Sequence, residues 1–316
     1  RTYSVMARFF NHLIVVFISS NKRLGYFFPL LSHIILKNNI PSMRFLFSLC
    51  LLSLAIVGTA QNLELGLWGG GTVYSGDLSP AEFGLYTESI EPGGGIFLRM
   101  NPAKPISLEF GLNLGKVSGE DGVTNDNTNR MLNFRSNITE LALKADLHLF
   151  RFGNPKATQV VPYIMGGGSV FRFNPEANFD GNWVELQPLA TEAQGAPGYD
   201  EPYSLTNFAL LAGGGIKFIF KERFTIGLEI GGRKTFTDYL DDVSDVSVNY
   251  LDVLENTGSL AAQLSNPSIK DPEVENLIYR RGGEYDDWFF MGGISFSFAF
   301  GEGSGVNGRG IGCPTF

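Results

Sequence analysis

Histidine, cysteine and basic charge are scarce in this chain, and each scarcity closes a class of function. Of three histidines only His148 lies beyond residue 60, so metal clusters and histidine-based triads have almost nothing to work with. The two cysteines are Cys50 and Cys313. Cys50 falls in an apolar leader, which leaves Cys313 alone: an internal disulfide is excluded, while a bond to a partner is not. The six basic residues before position 61 (Arg1, Arg8, Lys22, Arg23, Lys37 and Arg44) stand in a stretch without Asp or Glu. The remainder then carries 18 Lys and Arg against 32 Asp and Glu. That acidic balance disfavours a nucleic-acid partner, because phosphate binding needs clustered cations. Long apolar runs are missing too, since nothing after residue 61 approaches the ~20 residues a spanning helix needs.

What is present begins with an export signal. Met43 and Arg44 precede an apolar run over 45–58, broken only by serines and Cys50, and Thr59, Ala60 and Gln61 follow. This is the pattern of a secretory signal peptide over 43–60, cleaved after Ala60. Leu49 stands before Cys50 where a lipoprotein signal needs a small residue, so lipidation is not expected. Residues 1–42 start with Arg and contain apolar pieces interrupted by Lys and Arg; they read as an over-extended start, with a membrane anchor as the alternative. The exported part is expected to divide into a barrel over 61–301 and a periplasmic tail over 302–316.

An exported chain without spanning helices leaves strands to be tested. A lipid-spanning strand takes ~9–11 residues, apolar on one face and small or polar on the other. The first candidate sets Leu63, Leu65, Leu67, Gly69 and Val73 against Glu64, Gly66, Trp68, Thr72 and Tyr74. A cleaner one alternates Ile106, Leu108, Phe110, Leu112 and Leu114 with Ser107, Glu109, Gly111, Asn113 and Gly115. A third sets Leu141, Leu143, Ala145, Leu147 and Leu149 against Glu140, Lys144, Asp146 and His148, so charge falls on one face only. Similar segments at 94–100, 160–173, 209–220, 224–237 and 288–300 bring the count to eight. The expectation is an all-β fold, an eight-stranded antiparallel up-and-down transmembrane β-barrel in an outer membrane.

The connections alternate in length, which is an independent signal. Those at 101–105, 153–159 and 221–223 are short, while 75–93, 117–134, 174–205 and 238–287 are long and polar. Short periplasmic turns and long outer loops fit such barrels, and both termini would then face the periplasm. A soluble β-sandwich or lipocalin-like barrel also alternates, but turns its apolar face inward. Glu64, Arg99, Glu109, Glu140, Lys144, Asp146, Glu229 and Arg233 on the polar face suit a narrow lumen filled by ion pairs. Glycine triplets at 69–71, 93–95, 166–168 and 213–215 open no helix after a buried strand, so they are not phosphate loops; glycine within a strand marks a bend or close backbone approach. Aromatics near strand ends (Trp68, Tyr74, Tyr163, Phe171, Phe173, Phe236, Tyr239, Trp288, Phe289 and Phe290) are expected to form interfacial girdles.

Chemistry is thinly represented. By its alternation His148 points into the lumen beside Asp146 and Lys144, where a packed polar residue is the stronger reading than a general base. The acids Asp238, Asp241, Asp242 and Asp245 could gather oxygen ligands for calcium, but they lack the glycine and distal bidentate Glu of a calcium loop. Capping of backbone amides at the strand-to-loop corner is the preferred role. No catalytic residue, cofactor or metal is expected.

Several strings together resemble a family of outer-membrane barrels from Bacteroidetes-type bacteria that includes PorG of the type IX secretion system. The resemblance runs from about Leu63 to Phe316. Its most specific part is 229–244, which contains Glu229, Arg233, Thr235, Asp238, Tyr239, Asp241 and Asp242. Supporting strings are Tyr74 through Leu78, 162–175, Arg281-Gly282, Asp287-Trp288 and the terminal Cys313 through Phe316. The resemblance implies an outer-membrane location and contact with a periplasmic secretion ring built from a lipoprotein and a soluble partner. The chain would then anchor or assemble that ring. An eight-stranded lumen is just wide enough for side chains and makes a poor pore, so function belongs at the ends. A surface adhesin or receptor acting through the long loops is the rival reading, and an outer-membrane enzyme with His148 as base is a third.

Overall fold

A computed structural model of the chain describes residues 63–79, 89–122, 130–271, 278–283 and 286–300. Residues 1–42, read from the sequence as an over-extended start, residues 43–60, expected to be a signal peptide, and the expected tail 302–316, with Cys313 and Phe316, lie outside the described residues. Eight long strands follow one another: β1 (Leu63–Ser75), β2 (Glu91–Ala103), β3 (Ile106–Glu120), β4 (Asn133–His148), β5 (Thr158–Arg172), β6 (Thr206–Phe220), β7 (Phe224–Thr235) and β8 (Trp288–Phe300). Each pairs antiparallel with the next, and β8 returns to β1 in a register running from Leu63 opposite Phe300 to Ser75 opposite Trp288. Closure removes the sheet edge, so no row of unpaired backbone groups is left along the wall. The eight-stranded barrel expected from the alternation is the fold observed.

The two faces are sorted inside out relative to a protein dissolved in water. Leu67 is 56% exposed, Leu143 60%, Leu210 58% and Phe208 65%, while Glu64, Arg99, Glu140 and Asp146 are buried in the lumen. In water each of those outward side chains would forgo about 1.5–3 kcal/mol of burial. A lipocalin-like arrangement, with apolar side chains inward, is therefore not what this chain adopts.

Glycines let the wall curve where neighbouring strands press together. Gly70 on β1 faces Gly93 on β2 and Gly293 on β8. A Cβ at Gly70 would fall on the backbone of Gly292 and Gly293, and one at Gly293 on that of Gly69 and Gly70. This is close backbone approach, as read from the triplets.

At one end the strands are joined by short turns, at the other by long segments, and in two of the long segments the described residues are folded rather than merely polar. Residues 174–205 contain a hairpin, Pro175–Phe179 with Asn182–Glu185. The segment before β8 carries a strand pair, Ser247–Asn249 with Ile278–Arg280, and two short helices, α1 (Tyr250–Thr257) and α2 (Ser259–Ser265). Asn249 caps α1 by accepting the Leu251 N–H at 3.0 Å, and Gly258 separates the helices at φ +98°, where a side chain would be strained. Val248, Tyr250, Val253, Ala261 and Ala262 bury together as a small core of this segment.

The aromatic girdle is not where the sequence placed it. Tyr74, Phe171, Phe173 and Phe289 point inward and, with Leu78, Phe134, Leu240 and Val243, form an apolar plug in the loop-end mouth. Tyr163 and Phe290 are also buried, and Tyr239 stacks on Tyr203 at 4.4 Å; of the residues named, Phe236 is the one that is more than half exposed, at 53%. Position near a strand end does not reveal which face a residue occupies, and the alternation of Tyr74 with Val73 would have. Outward aromatics stand at both ends of the wall, Phe208 and Phe236 at the loop end and Phe150, Phe152, Phe224 and Phe300 at the turn end.

Candidate functional site

Two layers of polar side chains sit within the barrel, and the residues singled out around β7 divide between them. In the mid-lumen Arg99 on β2 bridges Glu109 at 2.7 Å and Glu64 at 3.1 Å. Lys144 on β4 reaches Glu109 at 3.1 Å and also pairs with Glu229 on β7, which accepts the Tyr163 hydroxyl at 2.5 Å. Arg233 lies 3.2 Å from Glu140 and donates to the Gly231 carbonyl at 2.7 Å. Lys217 pairs with Asp146 at 2.6 Å. Alternation put all of these charges except Lys217 on one face, and closure of the sheet brings them within bonding distance. A cavity among them, lined by Trp68, Arg99, Asn113, Lys144, Glu229 and Arg233 among others, is about 30 Å³, which is room for one or two waters.

His148 occupies the turn end of the lumen. Its Nε2 lies 2.9 Å from Ser107 Oγ and accepts from Lys217 at 3.3 Å, while Nδ1 faces Arg151 and the Lys104 carbonyl. Ser107 is fully buried and donates to Asn101 at 2.6 Å. This serine and histidine therefore touch neither an orienting carboxylate on Nδ1 nor a cleft that a substrate could enter.

The second layer is a clasp above the apolar plug. Thr235 at the end of β7 holds the Asp287 carbonyl at 2.6 Å. Asp241 and Asp287 converge on one phenol: the Tyr74 hydroxyl lies 2.6 Å from Asp241 Oδ2 and 2.9 Å from Asp287 Oδ1. Asp287 also accepts the Leu240 N–H at 2.8 Å, and Asp241 the Val243 N–H at 3.0 Å. Beside them Arg281 reaches Asp242 at 3.1 Å and Glu192 at 3.4 Å, and Asp242 accepts from Tyr203 at 2.6 Å and from Thr191. Asp77 accepts the Gly283 N–H at 2.8 Å. Three separate connections are thus tied to one point.

A phenol has a single proton to give, so with two carboxyl oxygens in reach one carboxyl must keep its own proton. The electrostatics agree. Burial pushes Asp287 and Asp241 well above the usual carboxylate range, Asp287 further through Asp241, Asp238 and Asp77, and Asp241 through Asp77. Burial lifts Asp238 to about 9, with the Asp241 and Asp77 charges adding. Burial also raises Asp242 and Glu192, and Arg281 opposes it. Among the described residues no group of three or more His, Cys, Asp or Glu is arranged to hold a metal ion.

Several of the strings that carry the resemblance meet here. Tyr74 and Asp77 follow β1, Asp241 and Asp242 follow β7, and Arg281 and Asp287 precede β8, up to 213 positions apart along the chain. Glu192, Thr191 and Tyr203 come from the β5–β6 connection, and sequence reading singled out none of them; nothing in their local pattern distinguishes them from other loop polar residues. A Cβ at Gly76 would land on Asp287 and the Tyr74 hydroxyl, and one at Gly282 on Asp77. Gly282→Ala is therefore expected to loosen the clasp by about 1–3 kcal/mol, seen as at least severalfold faster limited proteolysis within 236–287 while the barrel itself stays folded on gels.

Residues 43–263 match the family described as "Domain of unknown function (DUF6089)". No curated protein matches the chain. Among solved structures, the N-terminal β-barrel domain of Pseudomonas aeruginosa OprF is 14% identical with a TM-score of 0.31, covering 76% of this chain and 98% of that one. Neisserial surface protein A is 7% identical with a TM-score of 0.36, at 76% and 97% coverage. The outer membrane protein OprG of Pseudomonas aeruginosa is 13% identical with a TM-score of 0.35, at 76% and 98%.

Proposed function

The chain belongs to the DUF6089 family, and on the geometry of its barrel we propose that it is a non-catalytic outer-membrane barrel that anchors or assembles a periplasmic secretion ring. The observation that carries the reading is a lumen filled by buried ion pairs beneath an apolar plug. A lumen crossed by these ion pairs, with a cavity of about 30 Å³ among them, is a poor path for a solute, so the barrel works by holding something else in the membrane. The outward leucines and phenylalanines supply lipid contact. The turn end then faces the periplasm and the clasped loops face outward. The resemblance to PorG-like barrels supports a type IX secretion ring as the partner, with the ring lipoprotein and its soluble companion as the contacts.

Deleting the gene should abolish export of substrates of that secretion system, and crosslinking through a tag in an outer loop should recover ring components. Normal export in the deletion strain would defeat the reading. The folded residues 247–271 and 278–280, with a small buried core, favour a second reading, a surface receptor or adhesin. Trimming these residues would then impair ligand binding and leave export intact.

A further inference from the structure

The turns at the end opposite the clasp are basic in an otherwise acidic protein. Exposed Lys104, Lys156, Lys221 and Arg223 stand there with the half-buried Arg151, against Glu222 as the one carboxylate among the turn residues 104–105, 149–157 and 221–223. The turns are stitched into one surface: Arg151 donates to the Lys104 carbonyl at 3.0 Å, Lys221 N–H to the Ala157 carbonyl at 2.9 Å, and Ala299 N–H to the Arg223 carbonyl at 2.9 Å. The cations therefore share one rim.

Two of the turns have the same order of side chains. Phe150 and Phe152 bracket Arg151, while Phe220 and Phe224 bracket Lys221, Glu222 and Arg223. Phe150, Phe152 and Phe224 are 64%, 59% and 57% exposed, and Phe224 continues against Phe298 at 5.1 Å. Outward rings at the edge of the apolar wall mark the depth at which hydrocarbon gives way to headgroups. Cations one step beyond lie at the level of lipid phosphates.

The β6–β7 turn adds a second observation. Lys221 and Glu222 adopt φ +48° and +57°, the left-handed pair that a two-residue hairpin ordinarily fills with Asn and Gly. Charged side chains are retained where glycine would relieve strain. Strain kept at a position is grounds for asking what its side chain does.

We propose that this rim binds the phosphate headgroups of anionic phospholipids in the leaflet it meets, with Lys156, Lys221 and Arg223 as the principal contacts and Phe152, Phe220 and Phe224 against the acyl chains. The inference rests on the membrane reading above and adds the lipid class. Each cation near such a surface contributes on the order of fivefold in affinity, and the attraction falls with salt.

The test reconstitutes the full chain in phosphatidylcholine membranes holding spin-labelled phosphatidylglycerol or spin-labelled phosphatidylcholine, and compares the fraction of each label immobilised at the protein. The wild type is expected to prefer phosphatidylglycerol about tenfold in low salt. The variant K156Q/K221Q/R223Q, checked for closure by heat-dependent gel migration, should fall below about twofold. The variant R172Q/K234Q, altered at the loop end, should keep the preference, and millimolar inorganic phosphate should not displace the lipid. Equal immobilisation of both lipids by an inserted wild type, an unchanged preference in the triple variant, or full competition by free phosphate each overturns the proposal and leaves the membrane reading intact. A chain that stays dissolved without detergent overturns both.

Discussion

Arg99→Met is expected to lower the stability of the barrel by about 3–5 kcal/mol, the cost of removing one partner from a buried ionic network. Arg99 is 2% exposed and stands among Glu64, Glu109 and Asp146, at 3.1, 2.7 and 3.9 Å. Its guanidinium also lies 4.6 Å from the centre of the Phe97 ring. Methionine fills much of the volume, so the loss comes from charge: three carboxylates would face Lys144 and Lys217 alone, in a cavity with space for one or two waters. The measurement is the urea midpoint of unfolding in micelles, followed by heat-dependent gel migration. Adding Glu109→Gln to the Met variant removes one orphaned charge and should recover part of the loss. An Arg99→Met barrel that unfolds at the wild-type midpoint would mean that water enters the lumen freely and that the lumen is not closed.

The same network shows what sequence alone could give. Period-two alternation identified Glu64, Arg99, Glu109, Lys144, Glu229 and Arg233 as inward, because a strand fixes direction locally and lipid and lumen demand opposite chemistry. Pairing across the lumen is a property of closure, and Lys144 meeting Glu229 across 85 positions has no local signature. The aromatics were misplaced for a related reason. Phe171, Phe173 and Phe289 alternate as inward residues, yet they sit near strand ends, where position alone suggests an interfacial girdle and only parity shows the face. The clasp was half legible: Asp241 and Asp242 stood out as a run of acids, and Tyr74, Arg281 and Asp287 through family likeness. Their convergence depends on three loops folding over one mouth, and the buried core of 248–262 that supports this reads locally as polar loop with a few scattered apolar residues.

Hydrogen exchange at Leu240 and Val243 should speed up steeply with pH beyond the intrinsic chemical rate, because the clasp is held together partly by protons. Those two amides donate to Asp287 and Asp241, the carboxyls that share the Tyr74 hydroxyl. Facing them are Asp77 from the first loop, Asp238, Asp245 and Arg281 from their own connection, and Glu192 from the β5–β6 connection. The carboxyl values in the closed clasp lie above the ordinary one near 4, that of Asp238 at about 9. Between those limits the closed form binds more protons than the opened segment, so closing weakens as pH rises. The contribution of Asp238 is complete below about pH 4 and is lost as pH climbs towards about 9, and those of Asp241 and Asp287, raised in the same direction, are likewise lost as pH rises. For a difference of one proton the opening constant grows about tenfold per pH unit, and two linked carboxyls would exceed that. Asp287→Asn supplies a permanently neutral partner to the phenol, which should reduce the slope while keeping the contact. Tyr74→Phe instead removes the shared hydroxyl and should raise exchange at every pH. A flat wild-type profile, or an Asp287→Asn profile as steep as the wild type, would show that both carboxyls are ionised in the closed clasp; two carboxylates on one phenol would then need a compensating cation at the mouth.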